Sequence, residues 1–224
     1  MRTKALLCAA GFLAATAATS MAQSNVYSLN VVGYINVGLT NGFNLIANQM
    51  DLDGNLTNNT VNTVFSTNLP ANSKAYAYSP ATGYTISTFN GTAWGPPGTL
   101  AGVAAGLSPG RGVWVLIPGT SGTSITLTEV GNVVQGSHGV PIVTGFQLAS
   151  VIPPLSAKIS TDMGYTAAAN EKVYMFRNGA YQIRTYNGTA WGPPALGEPT
   201  PNVGEAFWLQ AAAAKTWTQT YSVP

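Results

Sequence analysis

Few residues of this chain are equipped for covalent or proton-transfer chemistry. It holds one histidine, His138, and one cysteine, Cys8. A Ser-His-Asp site would have to use His138, which lies between Ser137 and Gly139 in the stretch joining the two halves described below, where an exposed loop is expected. No Gly-x-Ser-x-Gly elbow accompanies it. Zinc sites of the usual Cys and His types need more ligands than the chain has. Asp51 and Asp53 form a close carboxylate pair, but a glycosidase needs two carboxylates facing each other across a cleft. The run Asp51-Leu-Asp-Gly-Asn55 is a fragment of a calcium loop. Its glycine comes early, and Asn62 stands where a bidentate Glu belongs. Asp51, Asp53 and Asn55 are therefore a weak calcium candidate. No cofactor and no catalytic residue is expected, and the chain reads as a non-enzyme.

The aromatic residues carry more information. Trp94 and Trp191 occur in identical surroundings, Asn90-Gly-Thr-Ala-Trp-Gly-Pro-Pro97 and Asn187-Gly-Thr-Ala-Trp-Gly-Pro-Pro194. If exposed, the two indoles would be platforms for sugar rings, with Asn90 and Asn187 as hydrogen-bond partners. If buried, they are core anchors. Trp114 and Trp208 lie in the most apolar segments and are assigned to the core.

The repeated octapeptide sits inside a longer internal match. Lys74–Tyr78 matches Lys172–Phe176, Tyr84–Phe89 matches Tyr181–Tyr186, and Gly110–Val115 matches Gly204–Leu209. Asn30-Val-Val with Gly42-Phe-Asn-Leu45 matches Asn132-Val-Val with Gly145-Phe-Gln-Leu148. A period near 100 residues is too long for a solenoid repeat or a propeller blade. It divides the chain into residues 1–22, a first strand-rich unit over 23–131 with an additional N-terminal strand, and a second over 132–224. Two lobes and one joint domain are both compatible with this pattern.

Within each unit the matched segments alternate with period two. Tyr76 and Tyr78 share one face and Ala75 and Ala77 the other, in runs rich in Thr, Val, Ile and Tyr. Asn178-Gly179 predicts a type I′ hairpin turn. Asn90-Gly91 and Asn187-Gly188 predict returns through Trp94 and Trp191, each ended by a Pro-Pro pair. Val113–Ile117 reads as a strand buried on both faces. Gly112 and Gly204, just before the apolar strands, predict close backbone approach. Only Ala101–Ala105, Thr166–Asn170 and Ala211–Ala214 favour helix, and all are short. The expected fold is all-β, with two tandem sandwich or barrel-like units.

The N-terminus reads as an export signal. Arg2 and Lys4 precede an apolar run to Ala18, and Ser20-Met-Ala22 is a small-x-small cleavage site before Gln23. Lys and Arg total nine and Asp and Glu seven, so Arg2 and Lys4 account for the whole net charge of +2 and the mature chain is neutral. Without a basic patch, nucleic acid and anionic membranes are poor partners. No later segment is apolar over a membrane-spanning length. Charged residues make up 7% of the chain against the usual quarter, and Thr, Ser, Asn and Gly supply the polarity.

Asn30-Val-Val-Gly-Tyr-Ile35, Gly42–Ala47, Pro109–Val115 and the closing Trp217–Val223 resemble a family of secreted proteins of Verrucomicrobia and related bacteria. The Gly-aromatic-Asn-Leu-Ile and Gly-x-Gly-aromatic-Trp-Val pieces also look like β modules of bacterial cell-surface proteins. The resemblance covers nearly the whole mature chain. It implies an exported all-β protein and carries no activity.

Two functions follow as expectations. The first is a structural, adhesive or surface-assembly role, secreted or in the cell envelope (extracellular or periplasmic). Self-association there would run through edge strands such as Val26–Val37. The second is a carbohydrate-binding module whose glycan stacks on Trp94 and Trp191.

Overall fold

The computed structural model describes residues 31–56, 58–96, 106–119 and 124–223. The signal segment, the cleavage site, residues 23–30 and the stretch Ala101–Ala105 lie outside them. The described strands are β1 (Val32–Thr40), β2 (Gly42–Ile46), β3 (Met50–Asp51), β4 (Lys74–Ser79), β5 (Gly83–Phe89), β6 (Trp94–Gly95), β7 (Val113–Ile117) and β8 (Ser124–Val133). There follow β9 (Gly136–Ile142), β10 (Gly145–Ala149), β11 (Lys172–Arg177), β12 (Ala180–Tyr186), β13 (Trp191–Gly192), β14 (Phe207–Ala211) and β15 (Lys215–Tyr221).

The strand order β2-β7-β4-β5-β6 in one five-stranded sheet recurs as β10-β14-β11-β12-β13 in another. The first is faced by the three-stranded sheet β1-β8-β3, the second by the pair β9-β15. All the pairings are antiparallel, and none of these sheets closes into a barrel. The molecule is thus all-β and built of sandwich units.

Local chemistry sets the hairpins. Asn178 and Gly179 both take positive φ, 53° and 74°, so β11 and β12 join in the two-residue turn that suits the strand twist. Asn90 Oδ1 accepts from the backbone N–H groups of Thr92 and Ala93 and from the Thr92 hydroxyl, which folds β5 back into β6. Asn187 does the same for Thr189 and Ala190. Thr166–Asn170 and Ala211–Ala214 are not helical. A π-helical turn at Val61–Phe65, held by reciprocal Thr60 and Thr63 contacts, places Phe65 in the first core.

The alternation seen in the sequence decides which face each sheet buries. Ala75, Ala77, Val113, Val115 and Ile117 point inward onto Ile35, Val37, Leu39 and Leu127 of β1 and β8. Val173, Met175, Phe207 and Leu209 meet Val140, Ile142 and Trp217 in the second unit. The outer faces bear Phe43, Tyr76, Tyr78, Tyr84 and Trp114, and in the second sheet Phe146, Tyr174, Phe176, Tyr181 and Trp208.

A third core joins the units. Leu45, Ala47 and Trp114 pack with Leu148 and Ala206, flanked by Tyr78, Phe176 and Trp208. The contacts are reciprocal. The Ala47 N–H donates to the Gly204 carbonyl at 3.0 Å, and the Ser150 N–H to that of Gly110 at 3.1 Å. Gly204 takes φ +73°, and a Cβ there would lie 2.5 Å from Val37 of the other unit. At Gly110, φ +89°, it would lie 2.6 Å from Val140, again across the junction. At Gly112 it would meet Ala206 at 2.5 Å. Fully buried Gln49 accepts from the Gly204 N–H and donates to the carbonyls of Val151 and Pro153. From Val31 onward the chain is therefore one joint body rather than two lobes.

Candidate functional site

The indoles singled out as sugar platforms are packed into the cores of the two units. Trp94 is 4% exposed, packs on Phe65 and Phe89, and donates its indole N–H to the Ser66 carbonyl at 2.9 Å. Trp191 is 7% exposed, packs on Tyr186, and donates to Ser160 Oγ at 3.0 Å. The short strands β6 and β13 turn these rings inward, where large apolar area is worth most. Asn90 and Asn187 lie on the surface, with Oδ1 engaged in holding their own turns. Both indoles thus act as anchors of the cores, and the edge of Trp191 also lines a cavity of about 450 Å³ with Ser160, Thr161, Tyr186 and Glu198.

The weak calcium fragment is likewise folded in on itself. Asp51 is 1% exposed and accepts from Asn59 Nδ2 at 2.8 Å and from the Leu56 N–H at 3.1 Å. Asp53 accepts from the Asn55 N–H and from Asn58 Nδ2. The two carboxylates cap different groups of one loop, and the Asn55 amide turns back to the Asp53 carbonyl. Among the described residues no three His, Cys, Asp or Glu side chains converge. His138 lies in β9 opposite Gln219, not in a loop, and its Nε2 sits 2.8 Å from the Gln135 carbonyl.

A concave surface lies at the junction of the units. The outer faces of the two five-stranded sheets touch at Trp114–Phe176, with centroids 4.9 Å apart, and at Tyr78–Trp208, 4.8 Å apart. Beyond these contacts the sheets diverge. A groove of about 400 Å³ opens between Phe43, Tyr76, Tyr84, Ile86 and Trp114 on one side and Phe176 and Tyr181 on the other. Phe43 is 51% exposed, Tyr84 49% and Tyr181 47%. Burial and the neighbouring Tyr181 and Tyr78 hydroxyls raise the Tyr84 pKa, so its phenol stays protonated at neutral pH.

At Phe43 and Phe176 this groove meets a second cavity of about 740 Å³. Its wall carries the amides of Asn36, Asn41, Asn44, Asn178 and Asn202. Its two charges neutralise each other. Arg177 donates from Nε and Nη2 to Glu205 in a bidentate pair, and also to the Thr200 carbonyl. The Asn202 N–H completes the Glu205 carboxylate. The bonds from Glu205 hold the Arg177 pKa above its ordinary value. The sequence signalled none of this, because the lining comes from segments some 140 residues apart.

One carboxyl stands apart from the cleft. Glu129, on β8, is 1% exposed, and both its oxygens lie buried without a well-formed hydrogen bond. Burial pushes its pKa up to about 8, partly offset by the backbone N–H of Gln49. The matching residue of the second unit is Gln219, whose amide accepts from the Ile152 N–H and donates to the Ser150 carbonyl.

No family model, curated protein or solved structure matches this chain.

Proposed function

We propose that this protein is exported, that its first 22 residues are removed, and that the mature chain is a non-catalytic structural, adhesive or surface-assembly component of the cell envelope or exterior. The two units are taken as products of a tandem duplication, which fits the recurring strand order and the repeated octapeptide. The observation that carries the reading is the broad, uncharged aromatic face left exposed where the two outer sheet faces diverge. Soluble monomers seldom present a large apolar patch without using it for contact. The edge strand β1 adds a second contact surface, since among the described strands only β8 pairs with it. Deleting β1 is not a usable test, because Ile35, Val37 and Leu39 belong to the core.

The precursor should be produced in a Gram-negative host, and the exported protein sequenced from its N-terminus and run on size-exclusion chromatography over a range of concentrations. The expected result is a mature chain beginning at Gln23 that adheres or self-associates as concentration rises. Retention in the cytoplasm with Met1 intact would overturn the reading. A carbohydrate-binding role remains a second reading, moved from Trp94 and Trp191 to the junction cleft.

A further inference from the structure

We propose that the cleft at the unit junction binds a neutral oligosaccharide, one chain per molecule, with Phe43 as a stacking ring and Asn202 among its hydrogen-bonding amides. This rests on the reading of an exported, non-catalytic contact protein and names the partner class.

The lining selects that chemistry. A pyranose ring has an apolar C–H face and a rim of hydroxyls. The cleft offers half-exposed aromatic faces beside unionised amides. The Asn178 and Asn202 side chains make no hydrogen bond among the described residues, so their donors and acceptors face solvent. The Arg177–Glu205 pair is closed upon itself, which leaves no net charge to attract an anion or a cation. A purely apolar partner would leave the amides desolvated and unpaired. The volume falls in the range of ordinary ligand sites.

The pseudo-symmetry supplies an independent argument. The aromatic residues are matched across the junction: Phe43 by Phe146, Tyr76 by Tyr174, Trp114 by Trp208. The amides are not. Where the first side has Asn36, Asn41 and Asn202, the corresponding positions carry Gly139, Thr144 and Ser108. Packing explains what the two sides share. Of the amides found on one side only, Asn36 accepts from the Thr128 hydroxyl and Asn41 donates to the Gly119 carbonyl, whereas the exposed Asn202 side chain holds no such bond among the described residues and is left for a ligand hydroxyl.

The mature protein is titrated with the hexaoses of cellulose, xylan, mannan and laminarin, using calorimetry and tryptophan fluorescence, with galacturonan hexaose as the anionic control. At least one neutral hexaose is expected to bind with a stoichiometry of one, and the anionic one not to bind. Phe43→Ala and Asn202→Ala, both at exposed positions, should each weaken binding about tenfold. The mirror variant Phe146→Ala should leave it unchanged and serves as the folding control. Failure of all four neutral hexaoses to bind, or equal weakening by Phe43→Ala and Phe146→Ala, would overturn the proposal. A dimer that Phe43→Ala converts to a monomer, with no sugar bound, would make a second copy the occupant. That outcome also overturns the proposal but leaves the assembly reading in place.

Discussion

Replacing Glu129 with Gln should stabilise the protein at pH 8 and remove most of the pH dependence of its stability between pH 5 and pH 8. The unfolded chain titrates this carboxyl near the ordinary value of 4.5, the folded chain near 8. Below pH 4.5 both states hold the proton and folding is not penalised. As pH rises, the unfolded state releases its proton first, and each pH unit favours unfolding by about 1.4 kcal/mol. Above pH 8 the penalty is complete, at roughly 5 kcal/mol. A glutamine cannot ionise and can adopt the bonds that Gln219 makes in the second unit, accepting from the Gln49 N–H and donating toward the Ala47 carbonyl. Glu129→Gln should therefore differ little from the wild type at pH 5 and exceed it by several kcal/mol at pH 8. Urea denaturation followed by tryptophan fluorescence at pH 5, 6.5 and 8 measures this. A wild-type stability that stays level from pH 5 to 8, or a variant with the same slope, would refute the reasoning.

Trp94→Ala and Trp191→Ala should each destabilise the fold by roughly 3–5 kcal/mol in urea unfolding, as removal of a packed core ring does. Gly204→Ala should cost roughly 2–4 kcal/mol, combining a positive φ with a clash against Val37. Its unfolding should remain a single transition for both units by fluorescence and circular dichroism. Lys215→Met strands Glu171, which is 1% exposed, and should cost roughly 3 kcal/mol at neutral pH. Burial alone would raise the Glu171 pKa, but hydrogen bonds from Lys215, Tyr165, Ala168 and Ala212 outweigh it and hold the value below normal. Stability from this group is present above pH 4.5 and lost as pH falls through the folded value, and Lys215→Met should blunt that acid-limb loss in urea titrations.

What the sequence disclosed was local. Period-two alternation placed Ala75 and Ala77 opposite Tyr76 and Tyr78, and Asn178-Gly179 fixed its hairpin, because both depend on neighbouring residues only. The close approach at Gly112 and Gly204 was also legible, although its partners, Ala206 and Val37, were not. The failures concern faces. A strand pattern says which side chains point together, not which side meets another sheet, so Trp94 and Trp191 stayed open to a platform reading beside the commoner one of core anchors. Trp114 and Trp208 were assigned to the core; Trp114 is buried in one, but that core lies between the units, and Trp208 packs against it half-buried. The amide-lined cleft was invisible because no local motif links Asn36 with Asn202.

The reciprocal contacts at the junction constrain what either half can do alone. Gly110 reaches across to Val140, and Gly204 to Val37, so each half carries both the projection and the recess that receives it. A polypeptide comprising residues 132–224 only would leave its outer sheet face and Trp208 uncovered. It would find its best available cover in another molecule of the same kind, giving a two-fold dimer that falls apart on dilution. Joining two such pieces by the short passage from β8 to β9 replaces that dilution-sensitive encounter with a permanent one, because the tether holds the second face close to the first at any protein concentration. It also frees the two sides to diverge, so that one of them can acquire amides the other never needed.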